Sequence, residues 1–303
     1  MKEIVVISGK GGTGKTSLAA SFAALAGSVV LADCDVDAAD LHLILKPDVQ
    51  HAEDFSGGKI ARVVADKCIG CGRCAEVCRF GAVSFDGPAG GAVAKTFRID
   101  PIACEGCGVC AHFCRAGAIE LAPAVNGRWF LSNTRFGPMV HARLTPGQEN
   151  SGKLVSLIRK EARRIAEQQA KDFLVVDGSP GIGCPVIASI TGADFVLVVT
   201  EPTLSGRHDL ERVLELTEHF DVPAAVCINK SDINSRLCEF IEETAAERNV
   251  PVLARIPYDT AVTQAQIAGL SAVEHATGSL KQQLASLWQA VARAAHKQEG
   301  KGT

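Results

Sequence analysis

Residues 9–16 read Gly9-Lys10-Gly11-Gly12-Thr13-Gly14-Lys15-Thr16. The apolar stretch Glu3–Ser8 runs directly into them, and an Ala- and Leu-rich segment that predicts a helix over Thr16–Ala26 leads out. The octapeptide fits G-x-x-x-x-G-K-[ST], and a strand before with a helix after is the context in which that pattern cradles phosphate. Glycines let successive backbone N–H groups turn inward around phosphate oxygens, and the helix N-terminus adds positive potential. Gly9, Gly11, Gly12, Thr13 and Gly14 would form the cradle. Lys15 would reach the terminal phosphates, Thr16 would place its hydroxyl on Mg2+, and Ser17 would follow in the first helical turn.

Working outward, Ser28–Ala32 is a second buried run that closes at Asp33-Cys34-Asp35. Strand, helix, strand at this spacing is a βαβ unit and predicts a parallel sheet. The same rhythm resumes near Ser151. A helix is expected over Gly152–Ala170, with Leu154, Leu157, Ile158 and Ile165 on one side. Phe173–Asp177, Phe195–Thr200, Ala224–Ile228 and Val252–Ile256 are continuous apolar runs, as strands covered on both faces require. Helices fit at Leu204–Phe220, Ser235–Arg248 and Leu280–His296. The expected architecture is one doubly wound, mostly parallel α/β domain over residues 1–55 and 123–303, split by an insert at 56–122. Lys297–Thr303 is expected to fray.

The bulk numbers narrow the function. At 303 residues, two domains are the prior. A net charge of −3 leaves no basic excess for a nucleic acid backbone. No run is long enough for a membrane span or a secretory leader, so the expected location is cytoplasmic. Thiols there are kept reduced, so the 12 cysteines point to metal rather than disulfides.

Eight of those cysteines fall in the insert as Cys68-x2-Cys71-x2-Cys74-x3-Cys78 and Cys104-x2-Cys107-x2-Cys110-x3-Cys114. This is the run of bacterial two-cluster ferredoxins, in which the fourth Cys of each half serves the other cluster. The pattern implies a small α+β unit with two 4Fe–4S clusters. Cys68, Cys71, Cys74 and Cys114 would hold one, and Cys104, Cys107, Cys110 and Cys78 the other. Zinc sites do not call for the x2-x2-x3 grouping twice over. Cys68-Ile69-Gly70-Cys71-Gly72 repeats as Cys104-Glu105-Gly106-Cys107-Gly108. The residue after each fourth Cys is Arg79 or Arg115 where the ferredoxin run has Pro. Those guanidiniums could favour the reduced clusters, dock an acidic partner or face solvent.

Lys10 adds a second lysine to the phosphate loop, and GKGGTGKT resembles the deviant motif of the MinD and nitrogenase iron protein class. With the Asp33-Cys34-Asp35-Val36-Asp37 turn, the eight-Cys insert, Val175–Gly181 and Asn229-Lys230-Ser231-Asp232, nearly the whole chain resembles MinD-superfamily P-loop ATPases carrying an inserted ferredoxin domain. The resemblance implies a Mg-dependent ATPase, slow without a partner, with Lys10, Lys15, Asp35 and Asp177 as its catalytic set. Lys10 would cross an ATP-dependent homodimer to the partner's nucleotide. Asp35 would orient the attacking water, and Asp177 would hold Mg2+ through water. Asn229, Lys230 and Pro257 would border the base and favour adenine. Asp33 and Asp37 read equally well as structural.

The function expected from these parts is ATP-gated electron transfer to an unidentified redox partner. An iron–sulfur carrier or scaffold, and a MinD-like positioning ATPase, are the alternatives. Cys34, Cys227 and Cys238 read as core residues. Cys184 stands where the nitrogenase iron protein carries a cluster ligand, but a structural thiol is the better expectation. Gly137–Arg143 and Gly147–Lys153 read as a structured, switch-like loop, with Asn150 or Ser151 as a helix cap. His141 within it is a weak candidate for a ligand or proton carrier. Leu280, Leu284, Leu287 and Val291 share one helix face, expected to dock on the domain's own core rather than on membrane.

Overall fold

The computed structural model describes residues 1–91, 93–145 and 151–297. Its strands in chain order are β1 (Lys2–Ser8), β2 (Val29–Asp33), β3 (Asp48–Phe55), β4 (Gly58–Val63), β5 (Val83–Gly87), β6 (Thr96–Ile99), β7 (Ile119–Ala124), β8 (Gly127–Asn133), β9 (Pro138–Leu144), β10 (Phe173–Pro180), β11 (Phe195–Thr200), β12 (Ala224–Asn229) and β13 (Val252–Ile256). Two compact units emerge. One is built from Met1–Glu53, Trp129–Arg143 and the chain from Ser151 onward; the other is Asp54–Arg128 with the stretch that begins at Leu144.

In the first unit the sheet order is β13-β12-β11-β1-β10-β2-β9-β8-β3. β1 lies parallel between β10 and β11, and the parallel pairs continue out to β13 on one side and β9 on the other. Every residue of β1, β2 and β11 is buried. Helices cover both faces, so these strands read as unbroken apolar runs. Lys15–Ala26 packs through Leu18, Ala19, Phe22 and Ala23, whose small or slim side chains let the helix lie close on the sheet. The last helix, Gly278–His296, buries Leu280, Leu284, Leu287, Trp288 and Val291 in the same core. Trp288 sets its ring 5.2 Å from Phe22 and 5.0 Å from Phe173. No helix among the described residues is long and apolar enough to cross a membrane.

Two expectations need correction. Gly137–Arg143 is not a loop: Pro138–Leu144 is β9, an inner strand with Met139 and Val140 fully buried beside β2. His141 and Arg143 broke the apolar run and hid it. Asp48–Phe55, for which no strand was expected, is an edge strand of the large sheet whose exposed, charged residues carry no apolar signal. Gly147–Asn150 and residues 298–303 lie outside the described residues.

The second unit holds two antiparallel pairs, β4 with β7 and β5 with β6. β4 pairs Gly58 with Ala124, so the unit closes past residue 122, where the insert was expected to end. Its two short helices, Arg73–Val77 and Val109–Phe113, each follow a glycine in the left-handed region, Gly72 at φ 81° and Gly108 at φ 77°. A small buried cluster of Ala61, Ala82, Ile99 and Ile119 packs there against Cys74, Cys78, Cys104, Cys110 and Cys114.

Candidate functional site

Parallel register brings the chemistry together. Val6 of β1 stands opposite Asp177 of β10, and Asp177 stands opposite Asp33 of β2. The phosphate loop and the carboxylates therefore meet at the C-terminal ends of adjacent central strands, where open α/β sheets bind ligands. Gly12 and Gly14 take φ of 79° and 95°, which a side chain would strain. Asn229 donates from Nδ2 to the Thr13 carbonyl at 2.8 Å, and Lys230 from Nζ to the Gly12 carbonyl at 2.9 Å. With these carbonyls turned toward β12, the loop's N–H groups are free to face the opposite side. That side is a cavity of about 490 Å³, partly open to solvent, bordered by Gly11, Gly12, Gly14, Lys15, Thr16, Ser17 and Asp35.

Lys15 is buried and pairs with Asp35, with the Asp177 Oδ1 atom 3.9 Å away. Burial by itself lowers its pKa, but Asp177 and Asp35 outweigh that and raise it, so Lys15 stays charged. Asp177 is fully buried and neither carboxylate oxygen has a hydrogen-bond partner. Burial pushes its pKa up to about 6 against the pull of Lys15. Buried, unpaired acceptor oxygens beside a charged lysine and the Thr16 hydroxyl suit a hydrated Mg2+. Asp33 has a different role. Its carboxylate accepts from the backbone N–H of Asp35 at 3.2 Å and of Leu41 at 3.3 Å, shaping the turn that presents Asp35. Burial first, then the Asp177 charge, hold its pKa well above the usual range. Cys34 N donates to Asp177 O at 2.8 Å, and Ser179 Oγ to Cys34 O at 2.7 Å, tying the two acidic turns together.

Other expected residues sit elsewhere. Lys10 does not border the cavity. Its Nζ lies 2.5 Å from Glu201 Oε1, 3.2 Å from Thr203 Oγ1 and 3.0 Å from Ser205 Oγ. Asn229 and Lys230 brace the loop through its carbonyls, and Pro257 is exposed and off the cavity wall. Gln266, which the sequence did not single out, borders the cavity and donates to Ser17 Oγ at 2.9 Å. Glu201 was also missed. His141 is buried, 2.9 Å from Ser132 Oγ and stacked on Phe130. Burial, then the nearby His42 and Arg143, lower its pKa to about 4, so it packs as a neutral ring. Cys34, Cys227 and Cys238 are buried, while Cys184 is exposed.

In the second unit the eight thiols border two cavities. Cys68, Cys71, Cys74 and Cys114 share one, and Cys78, Cys104, Cys107 and Cys110 share the other, each with only about 20 Å³ of free space. Each takes three cysteines from one half and the fourth from the other. Among the described residues no three His, Cys, Asp or Glu side chains are gathered closely enough to hold a metal ion. Arg79 and Arg115 are exposed and border neither cavity.

Residues 4–272 match the CobQ/CobB/MinD/ParA nucleotide binding domain. An uncharacterized protein of Methanocaldococcus jannaschii is 35% identical over 243 residues, 77% of this chain and 79% of its own length. Among solved structures, the cell division ATPase MinD of Pyrococcus furiosus is similar at TM-score 0.57 and 18% identity, over 98% of this chain and 99% of that one. A ParA family ATPase of Chlorobium tepidum is similar at TM-score 0.53 and 18% identity, over 95% and 98%.

Proposed function

The chain belongs to the CobQ/CobB/MinD/ParA nucleotide-binding family, and from that premise we propose that it is a Mg-dependent ATPase whose nucleotide state controls electron transfer through two 4Fe–4S clusters in its second unit. The observation that carries the cluster part is the crosswise sorting of eight cysteines into two cavities of four. Four thiols per group, with the fourth taken from the other half of the repeat, is the ligand order of two-cluster ferredoxin runs. When bound, the clusters supply one-electron redox chemistry. The residues that would hold them are Cys68, Cys71, Cys74 and Cys114 on one side, and Cys104, Cys107, Cys110 and Cys78 on the other.

At the nucleotide, the inward N–H groups of the phosphate loop and Lys15 bind the phosphates. Thr16 and Asp177 would hold Mg2+, which would neutralise charge on the phosphates. Asp35, released from Lys15 as phosphate takes that lysine, orients water for attack on the terminal phosphorus. The bond to the bridging oxygen breaks, and the developing charge is met by Lys15 and by the Lys10 of a second copy. Nucleotide shifts a conformational balance only by binding one state more tightly, which a site completed across a homodimer achieves.

A second reading has support of its own. The similar solved structures are a cell division ATPase and a ParA family ATPase, so in this reading the nucleotide switch acts on a protein partner, as a MinD-like positioning ATPase, with the thiol unit passive in turnover. One experiment separates the two. Protein purified without oxygen is reduced, and its iron-cluster signal is followed by electron paramagnetic resonance with an acceptor, with and without Mg-ATP. Reoxidation that depends on hydrolysable ATP supports electron transfer. Reoxidation indifferent to ATP leaves the positioning reading, and protein with neither iron nor such a signal removes the clusters.

A further inference from the structure

Lys10 and the phosphate loop are joined through a residue outside the motif. Glu201 follows β11 directly, and β11 lies between β1 and β12. That register sets Glu201 between the phosphate loop on one side and Asn229-Lys230 on the other. Its Oε1 is 2.5 Å from Lys10 Nζ and its Oε2 is 3.1 Å from Lys230 Nζ. Lys230 also holds the Gly12 carbonyl. Thr203 and Ser205, at the start of the helix Leu204–His219, complete the Lys10 cage with their hydroxyls. The Glu201 side chain is only 13% exposed and Lys10 29%, so the contact is partly shielded from solvent, unlike a surface pair.

We propose that Glu201 is a positioning residue that latches Lys10 inside its own chain, so that nucleotide-driven pairing of two copies must first open this cage. The inference rests on the proposed dimer, because a Lys10 caged on its own Glu201 cannot also reach a nucleotide across an interface. The two arms of Glu201 link that release to the loop: any shift of Gly12 as phosphate enters is felt at Lys230, then at Glu201. Attraction to Lys10 and Lys230 lowers the Glu201 pKa despite the opposing effect of burial, so the latch is ionised at neutral pH.

Glu201→Gln keeps the shape and removes the charge. Ser205→Ala removes one Lys10 partner and leaves Lys230 untouched, which separates the latch from loop bracing. The first measurement is acylation of Lys10 in nucleotide-free protein, read by mass spectrometry of its peptide. We expect labelling severalfold faster in Glu201→Gln and faster to a lesser degree in Ser205→Ala. The second is sedimentation against Mg-ATP concentration. The dimerisation midpoint should fall roughly three- to tenfold in Glu201→Gln, the range for one partly exposed charged hydrogen bond, and less in Ser205→Ala. Unchanged Lys10 labelling in both variants overturns the latch. A wild-type dimer that Lys10→Ala abolishes, but whose midpoint moves in neither variant, overturns the latch and leaves the dimer standing. A wild type that stays single at saturating Mg-ATP overturns the dimer itself, and the inference with it.

Discussion

The two cradles of this chain are built in opposite ways. The phosphate loop sits in a large core: Thr13 is 1% exposed, Lys15 6% and Asp177 0%. Its shape is set by the protein alone, through Asn229 and Lys230 on its carbonyls and glycines at positive φ. The thiol cavities lie in a unit of about 80 residues whose small apolar core is mostly alanine and isoleucine, and Cys71 and Cys107 are exposed. A domain of that size buries barely enough surface to fold, and small scaffolds rely on metals or other staples. One site precedes its ligand; in the other the ligand would complete the core.

The largest effect expected from this contrast is on removing iron. Clusters that stand in for a core link metal binding to folding. Chelation should leave amides of β4 and β7 exchanging close to the unchained rate, while β1 and β10 keep their protection and nucleotide binding persists. Hydrogen exchange with peptide resolution reads both units in one sample. Equal protection of β4 and β7 with and without iron would dissolve the contrast.

A finer cut tests the crosswise sorting. Cys114→Ser should remove roughly half the iron and spare the cavity of Cys78, Cys104, Cys107 and Cys110, since each cubane has its own four ligands. Cys78→Ser should do the converse. Iron analysis with paramagnetic resonance distinguishes this from loss of all iron, or of none. On the other side of the comparison, Lys15→Ala should weaken ATP binding about 10- to 100-fold, the scale of a charged hydrogen bond to phosphate. Because that cradle is preformed, the exchange pattern of β1 should hardly change.

How legible each part was follows from what constrains it. The loop from Gly9 to Thr16 could be read because an apolar strand must precede it and a helix must follow. The cysteine spacing could be read as two runs of four, and the structure groups the thiols crosswise between the runs; that they hold iron is the proposal. Asn229 and Lys230 were recognised as a special turn, but a turn does not reveal which atoms it faces; here they are the carbonyls of Gly12 and Thr13. Glu201 carried no pattern, since a lone carboxylate after an apolar run acquires meaning only when Lys10 and Lys230 close on it. β9 was hidden because two polar residues, His141 and Arg143, interrupt its apolar pattern.

The smallest effect is the most diagnostic of how the phosphate cradle is held. Burial raises the Asp177 pKa to about 6, even with Lys15 nearby. A carboxyl whose folded pKa lies above its unfolded one favours folding below the unfolded value, near 4, and that contribution is lost as pH rises through about 6. At pH 8 the ionised Asp177, buried with Lys15 at 3.9 Å but no hydrogen bond, therefore strains the nucleotide-free fold. Asp177→Asn should raise its melting temperature there by a few degrees, on the order of 2 kcal/mol. The gain should shrink as pH falls through 6 and vanish near 4. With Mg-ATP the order should reverse, because only the wild type offers the carboxylate to the metal. A variant less stable than wild type at pH 8 without nucleotide would mean that attraction between Asp177 and Lys15 outweighs desolvation. The phosphate cradle would then be a stabilising part of the core rather than a site maintained against it.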